Sequence, residues 1–148
     1  MAGAPDEVVS LNLLKLTSMD HLKPKEAYAF LAENSEALFI DCRTDAEYFF
    51  VGHAIGSIHV GWYDGPDWEL NRNFIPDVKK LSGGVNDKPV VIICRSGKRS
   101  VEAGEALESA GFKRVINVTH GFEGDRNDLS QRGMLNGWRF DGLPWEQL

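Results

Sequence analysis

The apolar positions of this chain change period several times, and each change marks an element. Between Lys23 and Asn34, Ala27, Phe30 and Leu31 fall on one face with Pro24 near the start, which predicts a helix. Ala37-Leu-Phe-Ile-Asp-Cys42 follows as a short buried strand, and Ser57-Ile-His-Val60 as a second. Pro89-Val-Val-Ile-Ile-Cys94 is the clearest strand of all. Its run of β-branched residues lacks polar alternation, as expected of a central parallel strand covered on both faces. After Cys94 the period shifts at once. Val101, Gly104, Leu107 and Ala110 step by threes, Glu102, Glu105 and Glu108 form an outer acidic row, and Gly111 closes the helix. Arg114 to Val118 returns to a strand pattern.

The glycine-punctuated stretch from Gly121 to Gly137 predicts a helix with turns. Gly61-Trp-Tyr-Asp-Gly-Pro-Asp-Trp68 predicts a surface loop whose rings pack over the core edge. Strands alternating with helices predict an α/β fold with a mainly parallel sheet. In such folds ligands bind beyond the carboxyl ends of the strands, where Cys94 stands.

Length and composition narrow the class. A chain of 148 residues predicts one domain over residues 13–148, preceded by a loose leader over 1–12. A net charge of −6 argues against binding nucleic acid or an anionic membrane through the whole-protein field. The first residues carry acids and no basic run, and the apolar stretch Val8–Leu16 is interrupted by Ser10, Asn12 and Lys15. No signal peptide and no membrane span is expected, and the cytoplasm is the expected location. Cys42 and Cys94 form no CxxC pair, which suits a reducing compartment. The histidines His21, His53, His59 and His120 lack metal-ligand spacing, so neither a metal nor another cofactor is expected. Gly121-Phe-Glu-Gly124 lacks the spacing of a nucleotide loop.

The chemistry is concentrated in Cys94-Arg95-Ser96-Gly97-Lys98-Arg99-Ser100. A cysteine at a strand end, a short glycine-containing loop and a helix start place backbone N–H groups and a helix dipole around one sulfur. Both favour the thiolate, which is the nucleophile. Arg95, Lys98 and Arg99 oppose the helix dipole, a placement that makes sense if an anion occupies the loop. Cys42 reads as a small buried hydrophobe. Asp41, Arg43 and Glu47 read as a structural network of ion pairs and hydrogen bonds near the site. Trp138 and Trp145 read as packing residues.

Asp41-Cys-Arg43, Glu47-Tyr48 and Gly52-His53-Ala-Ile-Gly56 resemble the first signature of rhodanese-like domains. The six-residue stretch Cys94-Arg-Ser-Gly-Lys-Arg99 is similar to that family's active-site loop, and Gly137-Trp138 with Gly142-Leu-Pro-Trp145 looks like the ending of its single-domain members. The resemblance covers roughly residues 13–147. It implies a five-stranded, mainly parallel sheet with helices on both faces. It also implies a sulfurtransferase in which Cys94 takes a sulfane sulfur from a donor such as thiosulfate. The Cys94 persulfide then passes it to cyanide, a thiol or a protein cysteine. In this scheme Arg95, Ser96, Gly97, Lys98, Arg99 and Ser100 bind the anionic substrate.

Glu47 departs from the pattern. Two-domain thiosulfate enzymes of the family carry a substrate-binding arginine there, so thiosulfate is less secure as the natural donor. The alternatives are a persulfide carrier in a protein relay, a binding module without turnover, and a cysteine phosphatase or arsenate reductase. The phosphatase pattern Cys-x5-Arg requires arginine six places after the cysteine. That place is Ser100, with Arg99 one residue early, so this loop is one residue short for a tetrahedral phosphate.

Overall fold

A computed structural model describes residues 18–148; the expected leader over 1–12 lies outside them. The elements are β1 (Asp20–Leu22), α1 (Pro24–Glu33), β2 (Leu38–Asp41), a π-helical turn (Glu47–Val51), β3 (His53–Ala54), β4 (Ile58–His59), β5 (Tyr63–Asp64), β6 (Glu69–Leu70), α2 (Phe74–Leu81), β7 (Val90–Ile93), α3 (Arg99–Ser109), β8 (Val115–Val118) and β9 (Trp145–Glu146).

The main sheet has five strands in the order β1-β8-β7-β2-β4, and every pairing in it is parallel. The α/β architecture expected from the alternating pattern is therefore present. β7 is central and all four of its residues are buried, as its uninterrupted β-branched run demands. Alternating side chains divide the core in two. Ile40, Cys42, Ile92 and Cys94 project to one face and meet Phe74 and Val78 of α2 and Ala103 and Leu107 of α3. Phe39, Val91, Ile93, Ile116 and Val118 project to the other and meet Ala27 of α1, Phe122 and Trp138. Helices thus cover both faces. None of the described helices is long and apolar enough to cross a membrane.

Two segments differ from their expected form. No helix forms between Gly121 and Gly137. The backbone there bonds to the loop after β7 instead: Phe122 N–H donates to the Cys94 carbonyl (2.8 Å) and Glu123 N–H to that of Arg95 (2.9 Å). Gly121 makes this possible with φ +61°, in a position where a Cβ would lie 2.6 Å from the Arg95 carbonyl carbon.

The segment 61–88 is more structured than a loop. Tyr63–Asp64 and Glu69–Leu70 pair antiparallel as a hairpin, and α2 follows. Phe74 and Val78 sit one turn apart and are fully buried. Pro76 lies in the first turn of α2, where a missing N–H forfeits no intrahelical bond. The aromatic residues divide. Trp62 packs edge-on against Phe74 at 5.1 Å, as a core-edge ring should. Trp68, 53 % exposed, faces outward over the Arg99 guanidinium at 5.2 Å.

Candidate active site

Cys94 leaves the end of β7 and is 1 % exposed. Its Sγ accepts the Gly97 N–H at 3.1 Å and lies 3.2 Å from the Ser100 hydroxyl. Gly97 holds φ +100°, which turns its N–H back onto the sulfur, and its Cα faces the backbone of 118–120 closely enough that a Cβ would meet His120 N at 3.3 Å. The loop is therefore clamped between α3 and the segment after β8.

The sulfur is held as a thiolate. The Cys94 pKa falls to about 5, first because the protonated Cys42 thiol stands beside it. Burial opposes the shift. The backbone N–H groups of Ser100 and Gly97 reinforce it. Cys42 moves the other way: full burial pushes its thiol up, and proximity to the Cys94 charge adds to that. The two shifts run in opposite directions, favouring the anion at Cys94 and the thiol at Cys42.

This role for Cys42 was invisible in the sequence, where it read as a small hydrophobe. It is buried, as expected. The pairing of β2 with β7 decides its neighbour. Asp41 is in register with Ile93, and Cys42 N–H donates to the Ile93 carbonyl at 3.0 Å, so the next residues, Cys42 and Cys94, stand side by side. Asn117, on β8, was missed for the same reason. It is 3 % exposed, and its Oδ1 accepts from the Ser100 hydroxyl. Its Nδ2 lies 3.2 Å from His21 Nδ1 and 3.5 Å from the Gly97 carbonyl. A polar residue inside the buried β8 run Val-Ile-Asn-Val is the one signal that could have singled it out.

The remaining loop residues separate by direction. Ser100 is fully buried and serves Cys94 and Asn117, so it does not present itself to a substrate. Arg99 is committed too: both terminal nitrogens donate to the Glu47 carboxylate at 2.8 Å. Burial disfavours both charges, but their mutual pairing outweighs it. Arg99 stays firmly cationic, and Glu47, also bonded by Thr44, falls to about 2. Glu47 thus joins the active-site loop, while Asp41 and Arg43 form a separate pair. Arg43 Nη2 meets Asp41 Oδ2 at 2.7 Å and the Gly52 carbonyl at 2.6 Å, both side chains being fully buried. This pair ties β2 to the turn before β3 and never reaches the sulfur.

Two cavities flank the loop. One, of about 350 Å³, is lined by Thr44, Asp45, His59, Tyr63, Pro66 and Trp68, beside the Glu47–Arg99 pair. The other, of about 340 Å³, is polar, and Ser96, Lys98, Asp125, Arg126, Asn127 and Arg132 line it. Arg95 and Arg126 crowd Arg132 enough to help push its pKa down, after burial. Among the described residues, none of Arg95, Lys98, Arg126 and Arg132 is within ion-pair distance of a carboxylate. Unpaired cations gathered at one mouth of an acidic protein suit an anionic visitor.

Comparison with known proteins agrees with this geometry. The Rhodanese-like domain model matches residues 23–128. An uncharacterized protein of Rickettsia conorii is 33% identical over 134 residues, covering 87% of this chain and 98% of the relative. A sulfurtransferase of Allochromatium vinosum is 34% identical over 115 residues, covering 77% and 82%. The crystal structure of Rv0390 from M. tuberculosis superposes with a TM-score of 0.75 at 35% identity, covering 87% of this chain and 98% of that one. With the parallel sheet, the clamped cysteine loop and a family match across most of its length, the chain belongs to the rhodanese-like domain family.

Proposed function

We propose that this protein is a thiosulfate-type sulfurtransferase that works through a Cys94 persulfide. The observation that carries the reading is the placement of the Cys94 sulfur at the end of β7, where it accepts the Gly97 N–H at 3.1 Å and lies 3.2 Å from the Ser100 hydroxyl, surroundings that favour the thiolate. In the reaction, Cys94 Sγ attacks the outer sulfur of an anionic donor such as thiosulfate, and sulfite leaves with the electron pair of the broken S–S bond. The persulfide then gives its outer sulfur to cyanide, a small thiol or the cysteine of a relay partner, restoring the thiolate.

Gly97 and Ser100 hold negative charge on sulfur before and after each transfer, as preorganised donors do in an oxyanion hole. Arg95, Ser96 and Lys98 rim the loop and receive the donor anion. Arg99, neutralised by Glu47, positions the loop. The short loop favours a single sulfur over a tetrahedral phosphate. Two free cysteines are compatible with a reducing compartment, and we assign the cytoplasm.

Intact mass after incubation with thiosulfate tests the reading. The protein gains one sulfur, cyanide removes it, and Cys94→Ser neither gains sulfur nor transfers it. Full transfer by Cys94→Ser would overturn the mechanism.

A further inference from the structure

Cys42 does more than its proposed partner role requires. A hydroxyl or a backbone N–H would stabilise the Cys94 thiolate as well, yet the residue beside the sulfur is itself a nucleophile. Cys42 and Cys94 follow the register pair Asp41–Ile93 on hydrogen-bonded parallel strands. Such strands lie about 4.7–4.9 Å apart. That spacing falls within the roughly 4.4–6.8 Å between Cα atoms that a disulfide spans. Both side chains enter the same core cluster, so they point the same way from the sheet. Cys42 is fully buried.

We propose that Cys42 is a resolving thiol that closes a disulfide with Cys94 persulfide and releases its outer sulfur as hydrosulfide. This rests on the persulfide reading above. The Cys42 Sγ–Cys94 Sγ bond forms as the bond from Cys94 Sγ to the outer sulfur breaks. The electron pair leaves on the outer sulfur, and the Cys42 proton goes with it. The outer sulfur is reduced by two electrons, and the two cysteines are oxidised together to the disulfide. A dithiol then reduces the disulfide and is itself oxidised, so the full cycle turns sulfane sulfur into hydrosulfide at the expense of a dithiol. The site thus has two outlets, transfer when an acceptor is present and reduction when none is. Burial keeps Cys42 protonated near neutrality. The second outlet is accordingly slow there and quickens as pH rises.

The test loads reduced protein with thiosulfate, removes the donor, and follows intact mass and hydrosulfide without air or added thiol. The sulfur adduct of the wild type gives way to a species two hydrogens lighter than the reduced chain, with one hydrosulfide per chain. Peptide mapping joins Cys42 to Cys94. In Cys42→Ser and Cys42→Ala the adduct persists and hydrosulfide release is roughly tenfold slower or more. Equal lifetimes of the adduct in wild type and variants, or a disulfide joining two chains, would overturn the proposal. A second arm separates this from failure of the transferase reading. Hydrogen peroxide converts Cys94 to a sulfenic acid, and Cys42 displaces water from it to give the same disulfide. If thiosulfate leaves no adduct, the transferase reading fails, and the peroxide arm alone decides: disulfide in the wild type, with trappable sulfenic acid in Cys42→Ser, supports the resolving role, and no disulfide refutes it.

Discussion

At the scale of single residues, the reactivity of Cys94 is a matter of hydrogen-bond donors outweighing burial. An isolated buried thiol would be raised, as Cys42 is. Cys94 is lowered to about 5 because the protonated Cys42 thiol stands beside it and the Ser100 and Gly97 backbone N–H groups donate to it. Removing the first of these neighbours should raise the titration midpoint toward 9.0, the ordinary value. Thiolate absorbance near 240 nm, taken as the difference from Cys94→Ser, measures this. The wild type is flat from pH 7 to 8, and Cys42→Ala starts with less signal and gains it as pH rises over that range. An unchanged midpoint would show that the loop donors suffice without Cys42. The same shift is a stability term of known sign. The folded protein releases the proton at lower pH than the unfolded chain. Its contribution is therefore full above about 9, shrinks as pH falls, and is gone below about 5.

At the scale of elements, the loop is held by glycines on both of its sides. Gly97 carries its N–H to the sulfur, and Gly121 lets the segment after β8 lie against the Cys94 and Arg95 backbone. A side chain at Gly121 would collide with the Cys94 carbonyl oxygen. Gly121→Ala should therefore cost more than the roughly 1–3 kcal/mol of a strained residue in this backbone region. Thermal melting should show a lower Tm, and persulfide loading should fall with it. Gly97→Ala strains the loop in place, so loading should suffer more than Tm. A Gly121→Ala protein with wild-type Tm and loading would contradict the clamp. The glycines were legible as turn signals. Their partners were not, because hydrogen bonds from 122–124 to 94–95 join residues far apart in sequence.

At the scale of the whole molecule, charge is distributed against its own total. The net charge is −6, yet Lys98, Arg126 and Arg132 line one polar cavity at the loop, with Arg95 close to Arg132. An anionic donor is attracted locally and repelled at long range. Salt should screen the exposed cations of the mouth, so kcat/KM for thiosulfate should fall as ionic strength rises from low values to about 0.15 M, where the Debye length is about 8 Å. Arg126→Gln should flatten that dependence. A rate indifferent to salt in the wild type would show that the mouth plays no part in donor capture.

Sequence alone determined the order of the principal elements, the place of the cysteine loop and the family likeness, because each is written in local terms. β-branched runs make buried strands, a three-residue step makes α3, and a cysteine between strand end and helix start meets backbone donors wherever the chain folds this way. Tertiary structure alone decided who surrounds the sulfur. Strand register brought Cys42 beside Cys94, the third strand brought Asn117 to Ser100, and the folding of the turn after β2 brought Glu47 to Arg99. The region from Gly121 to Gly137 forms no helix for the same reason: the N–H groups of 122–124 are taken by a distant loop. Pairing between strands has no signature within either strand, and the chemistry of this site depends on that pairing.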